Sequence, residues 1–201
     1  MGENREYLLK RIEECFSNIE YIKSVDIPNI DLYMDQVTTF MNTRLKSSSR
    51  NPEQDKFMTK TMINNYAKND LLPSPEKKKY TKEHVVILLF IYYFKSFLSI
   101  SDIQTLLQPI TENFFGKDTD IKIADIYDEI CRMEKSQIED MRADALREYE
   151  LAMKTFQDAP EDSRDFLQTF SLICALGFDL YMKQALIEKL IDDMREKPEN
   201  E

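Results

Sequence analysis

The chain has 201 residues, a formal net charge of −10 and three glycines, and 42% of its residues are hydrophobic. This balance excludes a disordered chain, and so few turn glycines argue against parallel α/β folds and β-sandwiches. No apolar run is long enough to span a bilayer and the charged N-terminus does not resemble a secretion signal, so we expect a cytoplasmic protein without a membrane segment. Its three cysteines are far apart in the sequence, which indicates reduced thiols.

Two amphipathic helices are predicted before residue 47. Apolar residues recur at three- and four-residue steps over residues 3–24, and Ile27-Pro28 breaks that pattern. We expect Asp31 to cap the second helix. Its apolar face consists of Tyr33, Val37, Phe40, Met41 and Leu45.

The polar run at 47–56 is predicted to be a loop, and a short helix is predicted at Thr59–Asn69. Its inward side chains are Met62, Ile63 and Tyr66. Pro73-Ser74-Pro75 ends this helix, because the residue before a proline is disfavoured in helical geometry. Near Pro75–Tyr80 we expect a small turn or, at most, a two-stranded wing.

The middle of the chain predicts one apolar helix and one short helix. Thr81 is expected to cap a helix from Lys82 to about Phe97, whose apolar residues on nearly all faces indicate a central, buried position. We expect His84, the only histidine, to cap or pack at its start. Ser99 is expected to cap a helix at Ser101–Gln108 that Pro109 ends.

Two long helices are predicted in the last third. Apolar spacing over Asp118–Phe156 predicts one helix, unless the polar Gln137 breaks it. After a turn at Ala159-Pro160, a last helix is predicted over Asp162–Met194. Its stretch SLICALGF is apolar all round, and we expect it to be buried. Long helices joined by a short turn predict an antiparallel hairpin.

Three motifs follow one another within Met58–Leu107: MINNYAKNDLLP, KKKYT and LSISDIQTLL. Their order resembles the MerR-type winged helix, in which a recognition helix ending in Leu-Leu-Pro leads to a wing, a long helix and a serine-capped segment. Asn64 stands where that family has arginine, and Asp70 stands where glycine is usual. Asn65 and Tyr66 fall on the two tyrosines of that family. The other matching residues are Ile63, Leu71, Leu72, Pro73, Lys78, Tyr80, Thr81, Ser99, Ile100, Asp102, Ile103, Leu106 and Leu107.

A second resemblance covers a wider span, from about Ile27 to Pro109. The phrases LYMDQVTTF, MTKTMINNY and KKYTKEH are similar to an uncharacterised family of Gram-positive bacterial proteins, known as a domain of unknown function. This resemblance is the closer one, and it implies little about activity.

The MerR-type resemblance implies a transcriptional regulator that binds double-stranded DNA. The lysine turn would meet phosphates, and paired asparagines on a short helix would contact adenine edges in a major groove. The expected DNA-binding residues are Lys60, Thr61, Asn64, Asn65, Tyr66, Lys68, Lys77, Lys78, Lys79 and Tyr80.

The distribution of charge is compatible with this interpretation. Residues 44–96 contain eleven basic and five acidic side chains, a net charge of +6, so the rest of the chain carries −16. DNA affinity depends on the local field rather than on the total charge. A lysine triplet is more often only a solvated turn, so we keep an alternative: a helical protein–protein interaction module without DNA binding, whose basic face meets an acidic partner.

The residues that carry common chemistries are missing. A single histidine excludes a catalytic triad or a multi-histidine metal site in its usual form, and the sequence has no phosphate-binding glycine loop. Carboxylates at helical spacing, such as Asp125 and Glu129, are more typical of a solvated face. We therefore predict no enzyme, no metal site and no cofactor.

The predicted fold is all-α, with a winged-helix-like N-terminal domain (1–110) followed by a long antiparallel helical hairpin (111–201) for dimerisation or effector binding. We expect a homodimer, with Tyr149, Met153, Phe166 and Phe170 near the hairpin turn. An effector pocket, if present, is expected around Ile173–Tyr181, where Gly177 either permits close helix packing or leaves a void.

Overall fold

The computed structural model describes residues 2–17, 21–46 and 57–196, and the predicted loop at 47–56 lies outside these described residues. The described part is mostly helical, which confirms the all-α prediction. Its helices are α1 (Gly2–Ser17), α2 (Met34–Leu45), α3 (Lys60–Lys68), α4 (Lys82–Phe94), α5 (Ile100–Phe114), α6 (Ile123–Ala152) and α7 (Glu161–Glu196). Two short strands, β1 (Leu32–Tyr33) and β2 (Lys79–Tyr80), complete it.

The described residues form two compact units. We call residues 21–46, 57–131 and 188–196 the central unit, and residues 2–17 with 132–187 the hairpin unit. Helices α6 and α7 contribute residues to both. The predicted division into domains at residue 110 stays a prediction.

Helix α4 lies at the centre of the central unit. Every side chain from His84 to Ile91 is buried, as the apolar pattern on all faces predicts. Complete burial of a large apolar side chain stabilises a fold by roughly 1.5–3 kcal/mol, so this helix anchors the unit. Thr81 caps it, and the cap includes the ring of His84, which confirms the position expected for the histidine.

The small turn expected near Pro75–Tyr80 is present, with a bridge between Glu76 and Lys79, and the strand at its end pairs with a distant partner. Strand β2 pairs antiparallel with β1, with Leu32 opposite Tyr80 and Tyr33 opposite Lys79.

The predicted Asp31 cap of α2 is wrong. Tyr33 is the N-cap, and its amide donates to Oε1 of Gln36 at 2.8 Å, because β1 extends the chain up to the helix start.

The first helix is shorter than predicted, since α1 ends at Ser17. Farther on, Ser24–Asp26 forms a single 3-10 turn. Buried Ser24 donates its amide to Oδ1 of Asp128 at 3.2 Å, and its hydroxyl also bonds that carboxylate. This segment is therefore fixed by α6 within the central unit.

The prediction that Pro109 ends helix α5 is wrong, because the helix continues to Phe114 with the proline inside it. A proline removes one helical hydrogen bond, and the cost is lower at an exposed position. After Pro109 the side chains of Thr111 and Asn113 donate to the carbonyls of Gln108 and Pro109, at 2.9 and 2.8 Å. The predicted Ser99 cap is present, since its hydroxyl accepts the Asp102 amide at 3.1 Å.

Helix α6 is continuous through Gln137, which answers the question of a break there. It begins at Ile123 rather than Asp118, where the Lys122 amide donates to Oδ2 of Asp125 at 2.9 Å. Gly116, with φ +63°, turns the chain before it.

The hairpin unit consists of α1, the second part of α6 and the first part of α7. Gln168 of α7 donates to the carbonyls of Met153 and Thr155 at 2.9 and 3.0 Å, which fixes the turn of the predicted hairpin. Arg142 Nε donates to Glu13 at 2.8 Å, and the Tyr149 hydroxyl donates to the Arg5 carbonyl at 3.4 Å. Because these pairs run in opposite order, α1 lies antiparallel to α6.

The expectation that SLICALGF is buried is wrong. Within it Ile173 is 61% and Phe178 is 70% exposed, and only Leu172 is buried. Gly177 has no atom within 4 Å of a Cβ built on it, so neither close packing nor an enclosed void explains this glycine in the described structure. The reason is that only the side of α7 with Gln168 and Leu172 is covered along this stretch, and the other sides are open to solvent.

Among the described residues, α7 is the one helix with the length and composition of a membrane span. An 18-residue window within it has a mean hydropathy of 1.4, and 6% of that window is buried. One helix of this kind is weak evidence for a membrane span.

Candidate nucleic-acid interface

Helix α3 has a fixed entry point. Asn42 of α2 accepts the amides of Phe57 and Met58 at 2.9 and 3.2 Å, and its own amide donates to the Met58 carbonyl at 2.7 Å. Thr59 then caps α3 by accepting the Met62 amide at 3.2 Å. Asn42 therefore positions α3, a role that the sequence pattern did not reveal because the two residues it holds are distant in the chain.

Helix α3 presents one polar face to solvent. Ile63 and Tyr66 are buried, and the exposed residues follow helical spacing on the opposite side. Those exposed residues are Lys60, Thr61, Asn64, Asn65 and Lys68. Within the described residues no hydrogen bond engages the side-chain amides of Asn64 and Asn65. This face can therefore donate and accept hydrogen bonds toward a partner.

The exit of α3 uses a left-handed residue. Asp70 has φ +55°, after which the amides of Leu71 and Leu72 both donate to the Tyr66 carbonyl, at 2.9 and 3.3 Å. Leu71 and Leu72 are each 1% exposed. The leucine pair thus anchors the chain in the core directly after the helix.

The lysine turn, Lys77–Lys79, has a strained backbone. Lys77 and Lys78 have φ values of +49° and +64°, and the Lys79 amide donates to the Glu76 carbonyl at 2.8 Å. Two consecutive left-handed residues define the hairpin turn that normally takes Asn-Gly. Each left-handed lysine costs roughly 1 kcal/mol or more, so local stability does not explain the lysines at this turn.

The structure brings the lysine turn toward the start of α3. Lys79 pairs with Tyr33 of β1, and Asp35 lies two residues farther on, in the first turn of α2. Asp35 forms an ion pair with Lys60, the first residue of α3. The sheet and this ion pair therefore link the two predicted basic segments, and Asp35 is a member of the surface that sequence reasoning missed.

Two predicted DNA-binding residues face inward instead. Tyr66 is 7% and Tyr80 is 3% exposed, and burial raises the pKa of both hydroxyls. Tyr66 packs on the inner face of α3, and the Tyr80 ring meets the His84 ring edge-on at 5.4 Å. Both tyrosines support the surface from below, and they are not available for contact with DNA.

His84 ties the lysine turn to α4. Its Nδ1 accepts the Thr81 amide at 3.0 Å, so the neutral ring carries its proton on Nε2. The ring also packs against Phe115 at 4.7 Å. Burial lowers the pKa of His84 from 6.5 to about 4, against the opposite effect of the nearby Pro73 and Ser74 carbonyls. The residue is a structural support for the turn.

The described residues offer fewer functional features outside this surface. No cluster of three metal-ligating side chains occurs among the described residues, and none of the three cysteines forms a disulfide. A polar cleft of about 420 Å³ lies between the segment after α3 and helix α5. Its lining residues are Asp70, Leu72, Pro73, Ser74, Gln104, Gln108, Thr111 and Glu112.

Comparison with known proteins gives one match. No curated protein and no solved structure matches the chain. Residues 22–130, which include α2 to α5 and the surface described above, match a domain of unknown function, DUF1836. The match covers more than half of the chain, and the protein therefore belongs to the DUF1836 family.

Proposed function

We propose that the protein is a cytoplasmic, non-enzymatic transcriptional regulator of MerR-like type, which binds double-stranded DNA with the exposed face of α3 and the lysine turn. One observation carries the proposal. An uninterrupted polar and basic helix face lies on the same unit as three exposed lysines, in a chain that is acidic elsewhere. The field near these residues would attract phosphates despite the total charge.

Two features support the MerR-like part of the proposal. Asp70 stands where the MerR-type pattern has glycine, and its φ of +55° is the geometry that glycine adopts without strain. The Leu71-Leu72 pair after it is buried, as a recognition helix anchored from behind requires. The turn differs from a standard wing because its strand pairs with β1.

The residues divide by role. Lys77, Lys78 and Lys79 would bind phosphates and position the protein without reading sequence. Asn64 and Asn65 would read adenine edges in the major groove, where an amide can bond both N6 and N7. Thr61 would lie beside them, and Lys60 and Lys68 at the two ends of α3 would fix the register on the backbone.

The alternative function is a helical interaction module without DNA binding, whose basic face meets an acidic protein. The net charge of −10 and the asparagine at position 64 favour it. The strained lysine turn favours neither partner over the other, because both phosphates and carboxylates attract lysine.

The test is a mobility-shift and fluorescence-anisotropy assay of the full chain against genomic fragments, at two salt concentrations. Replacing all three turn lysines with alanine should weaken binding to every sequence alike and make the salt slope shallower by up to about 0.9 per lost contact. Asn64→Ala should instead reduce preference at one or two base pairs by roughly 1–3 kcal/mol.

The matched control removes charge elsewhere. Lys117 and Lys154 are exposed lysines outside this surface, and replacing both with alanine should leave DNA binding unchanged. If wild type binds no fragment above the level of an unrelated acidic protein, or if the turn variant binds as tightly as wild type at physiological salt, DNA binding by this surface is excluded. The interaction-module function would then take its place.

A further inference from the structure

We infer that α7 forms the interface between two copies of this chain, which pair antiparallel along one apolar seam of this helix. The inference does not rest on DNA binding, because α7 lies outside the surface of α3 and the lysine turn. For the expected homodimer, it specifies the helix that forms the interface, the antiparallel orientation of the two copies and the residues that face each other.

The first argument is the amount of exposed apolar surface. Along α7, eleven large apolar side chains are between 41 and 70% exposed. These are Phe166, Phe170, Ile173, Leu176, Phe178, Leu180, Tyr181, Met182, Leu186, Leu190 and Met194. Eight of them, all except Phe178, Tyr181 and Met182, lie on or directly beside one side of the helix, and at about 100 Å² each these eight present about 800 Å². A typical monomer has a largest apolar patch of about 300–600 Å², and a stable interface needs about 800 Å² from each partner.

The second argument is the spacing. One set of positions repeats with alternating steps of three and four residues over most of α7, which is the spacing of a coiled-coil seam. The set is Phe166, Thr169, Ile173, Leu176, Leu180, Lys183, Ile187, Leu190 and Met194. Seven of its nine members are apolar. A heptad seam needs a facing helix, and Ile173 and Leu180, at its centre, are 61% and 62% exposed.

The third argument is self-complementarity. The seam is symmetric about the point between Tyr181 and Met182, so a second antiparallel copy meets it in register. Ile173 then lies opposite Leu190 of the second copy, and Leu176 lies opposite Ile187 of the second copy. A two-fold axis requires such a surface that complements itself, which an arbitrary apolar patch does not provide.

One member of the seam, Lys183, is charged. Lys183 donates to Oδ2 of Asp179 at 2.7 Å, and this bond raises the pKa of the ammonium group. In the antiparallel pair Lys183 lies opposite Leu180 of the second copy, with its apolar stem over that leucine and its charge at the edge.

A second copy fits this helix better than a lipid bilayer does. Asp179 and Lys183 lie within the apolar stretch, and charged side chains are costly in the interior of a bilayer even when they pair with each other. The chain then continues with Glu188, Lys189 and Asp192 in the same helix. An interface between proteins leaves these side chains in water at its rim.

The experiment is sedimentation of the full chain at micromolar concentration. Wild type should be a dimer, and the pair of substitutions Ile173→Glu and Leu180→Glu should raise the dimer Kd about a hundredfold or more, because each buries a charge in the seam. Both residues are exposed in the protomer, so the circular dichroism of the variant should stay helical. Phe178→Glu, on the same helix but outside the seam, is the matched control and should remain dimeric.

Disulfide cross-linking tests orientation without dependence on those variants. In a chain whose Cys15, Cys131 and Cys174 are replaced by serine, Ile173→Cys and Leu190→Cys proteins should cross-link when mixed and not separately. Cross-linking of Ile173→Cys with itself would overturn the antiparallel arrangement. A monomeric wild type would overturn the interface, and so would flotation of the chain with equimolar phosphatidylcholine–phosphatidylglycerol vesicles without dimerisation.

Discussion

Helices α4 and α7 are both rich in leucine, isoleucine and phenylalanine, yet they lie in opposite environments. Each residue of α4 from His84 to Ile91 is buried, whereas α7 exposes eleven large apolar side chains. The difference lies in the neighbours, because α4 lies against β2 and α5, and most of α7 has no such cover in the described protomer. Composition therefore shows that a helix needs a partner, and it does not show whether the same chain supplies one.

The exposed surfaces associated with the two helices also differ in polarity. The unit built on α4 presents asparagines, threonine and lysines on α3 and on its turn, whereas α7 presents leucine and phenylalanine. Exposure to water costs polar groups little free energy, whereas a large exposed apolar patch usually marks a surface that another molecule covers. The contrast is the reason why we propose a charged partner for the first surface and an apolar partner for the second.

The largest expected effect is on the free energy of unfolding, and two leucine substitutions test whether α4 and α7 differ in burial. Leu88 of α4 is 0% exposed, and Leu88→Ala should lower the free energy of unfolding by about 3–4 kcal/mol, through lost transfer energy and the cavity left behind. Leu180 of α7 is 62% exposed, so Leu180→Ala should cost less than about 1 kcal/mol in the protomer. Urea unfolding at a concentration that keeps the chain monomeric measures both. Equal losses would mean that the environments of the two helices are alike.

The same contrast shows how far the sequence predicts the fold. An apolar pattern on all faces predicts the burial of α4 and wrongly predicts that of SLICALGF, because periodicity does not count the neighbours of a helix. Pro109 is a helix breaker by local rules, yet α5 continues through it to Phe114, because the proline removes one backbone hydrogen bond and the other bonds of the helix remain. The pairing of β1 with β2 joins segments more than forty residues apart, and two-residue strands carry no alternation to find them by.

For the candidate surface, the sequence predicts the exposed lysines and asparagines but not the inward turn of two tyrosines. Tyr66 and Tyr80 have both an apolar ring and a hydroxyl, so their chemistry suits either the core or a phosphate contact. Asp35 and Asn42 were missed because their partners, Lys60 and Phe57, are set by tertiary packing. Long-range pairs of this kind leave no spacing signal in one sequence.

The next effect concerns the start of the buried helix and depends on pH. Unfolded His84 takes up a proton at its ordinary pKa of 6.5, whereas burial keeps the folded residue neutral down to about 4. The contribution to stability is therefore complete above pH 6.5 and is lost as the pH falls from 6.5 to about 4. The slope should reach about 1.4 kcal/mol per pH unit, for a total of roughly 3 kcal/mol.

The measurement is urea unfolding from pH 7.5 to 4. His84→Gln is the matched variant, since glutamine at the same helix position caps α2 through Gln36. That variant does not titrate, so its stability should change less steeply over this interval. Parallel pH profiles for the two proteins would show that His84 is solvated.

A smaller effect separates folding from function at the lysine turn. Lys77→Asn with Lys78→Gly gives the turn the residues that suit left-handed geometry, so it should raise the free energy of unfolding by about 1–2 kcal/mol. The same double variant removes two phosphate contacts in the proposed complex and should weaken DNA binding. Thermal unfolding and anisotropy on one preparation measure both quantities. A variant that is more stable and binds DNA equally well would show that the turn has no role in binding.

The smallest effect concerns the ion pair between Asp35 and Lys60, whose side chains are 73% and 61% exposed. A pair so open to water is worth less than about 1 kcal/mol, so Asp35→Asn should hardly change stability. It should nevertheless free Lys60 for a phosphate, raise DNA affinity by about two- to tenfold at low salt and steepen the salt slope by up to about 0.9. Asp118→Asn, which breaks the exposed pair with Lys122, is the matched control and should leave binding unchanged. If both variants bind DNA like wild type, the start of α3 lies away from the phosphates, and the interface contracts to the lysine turn and the asparagines.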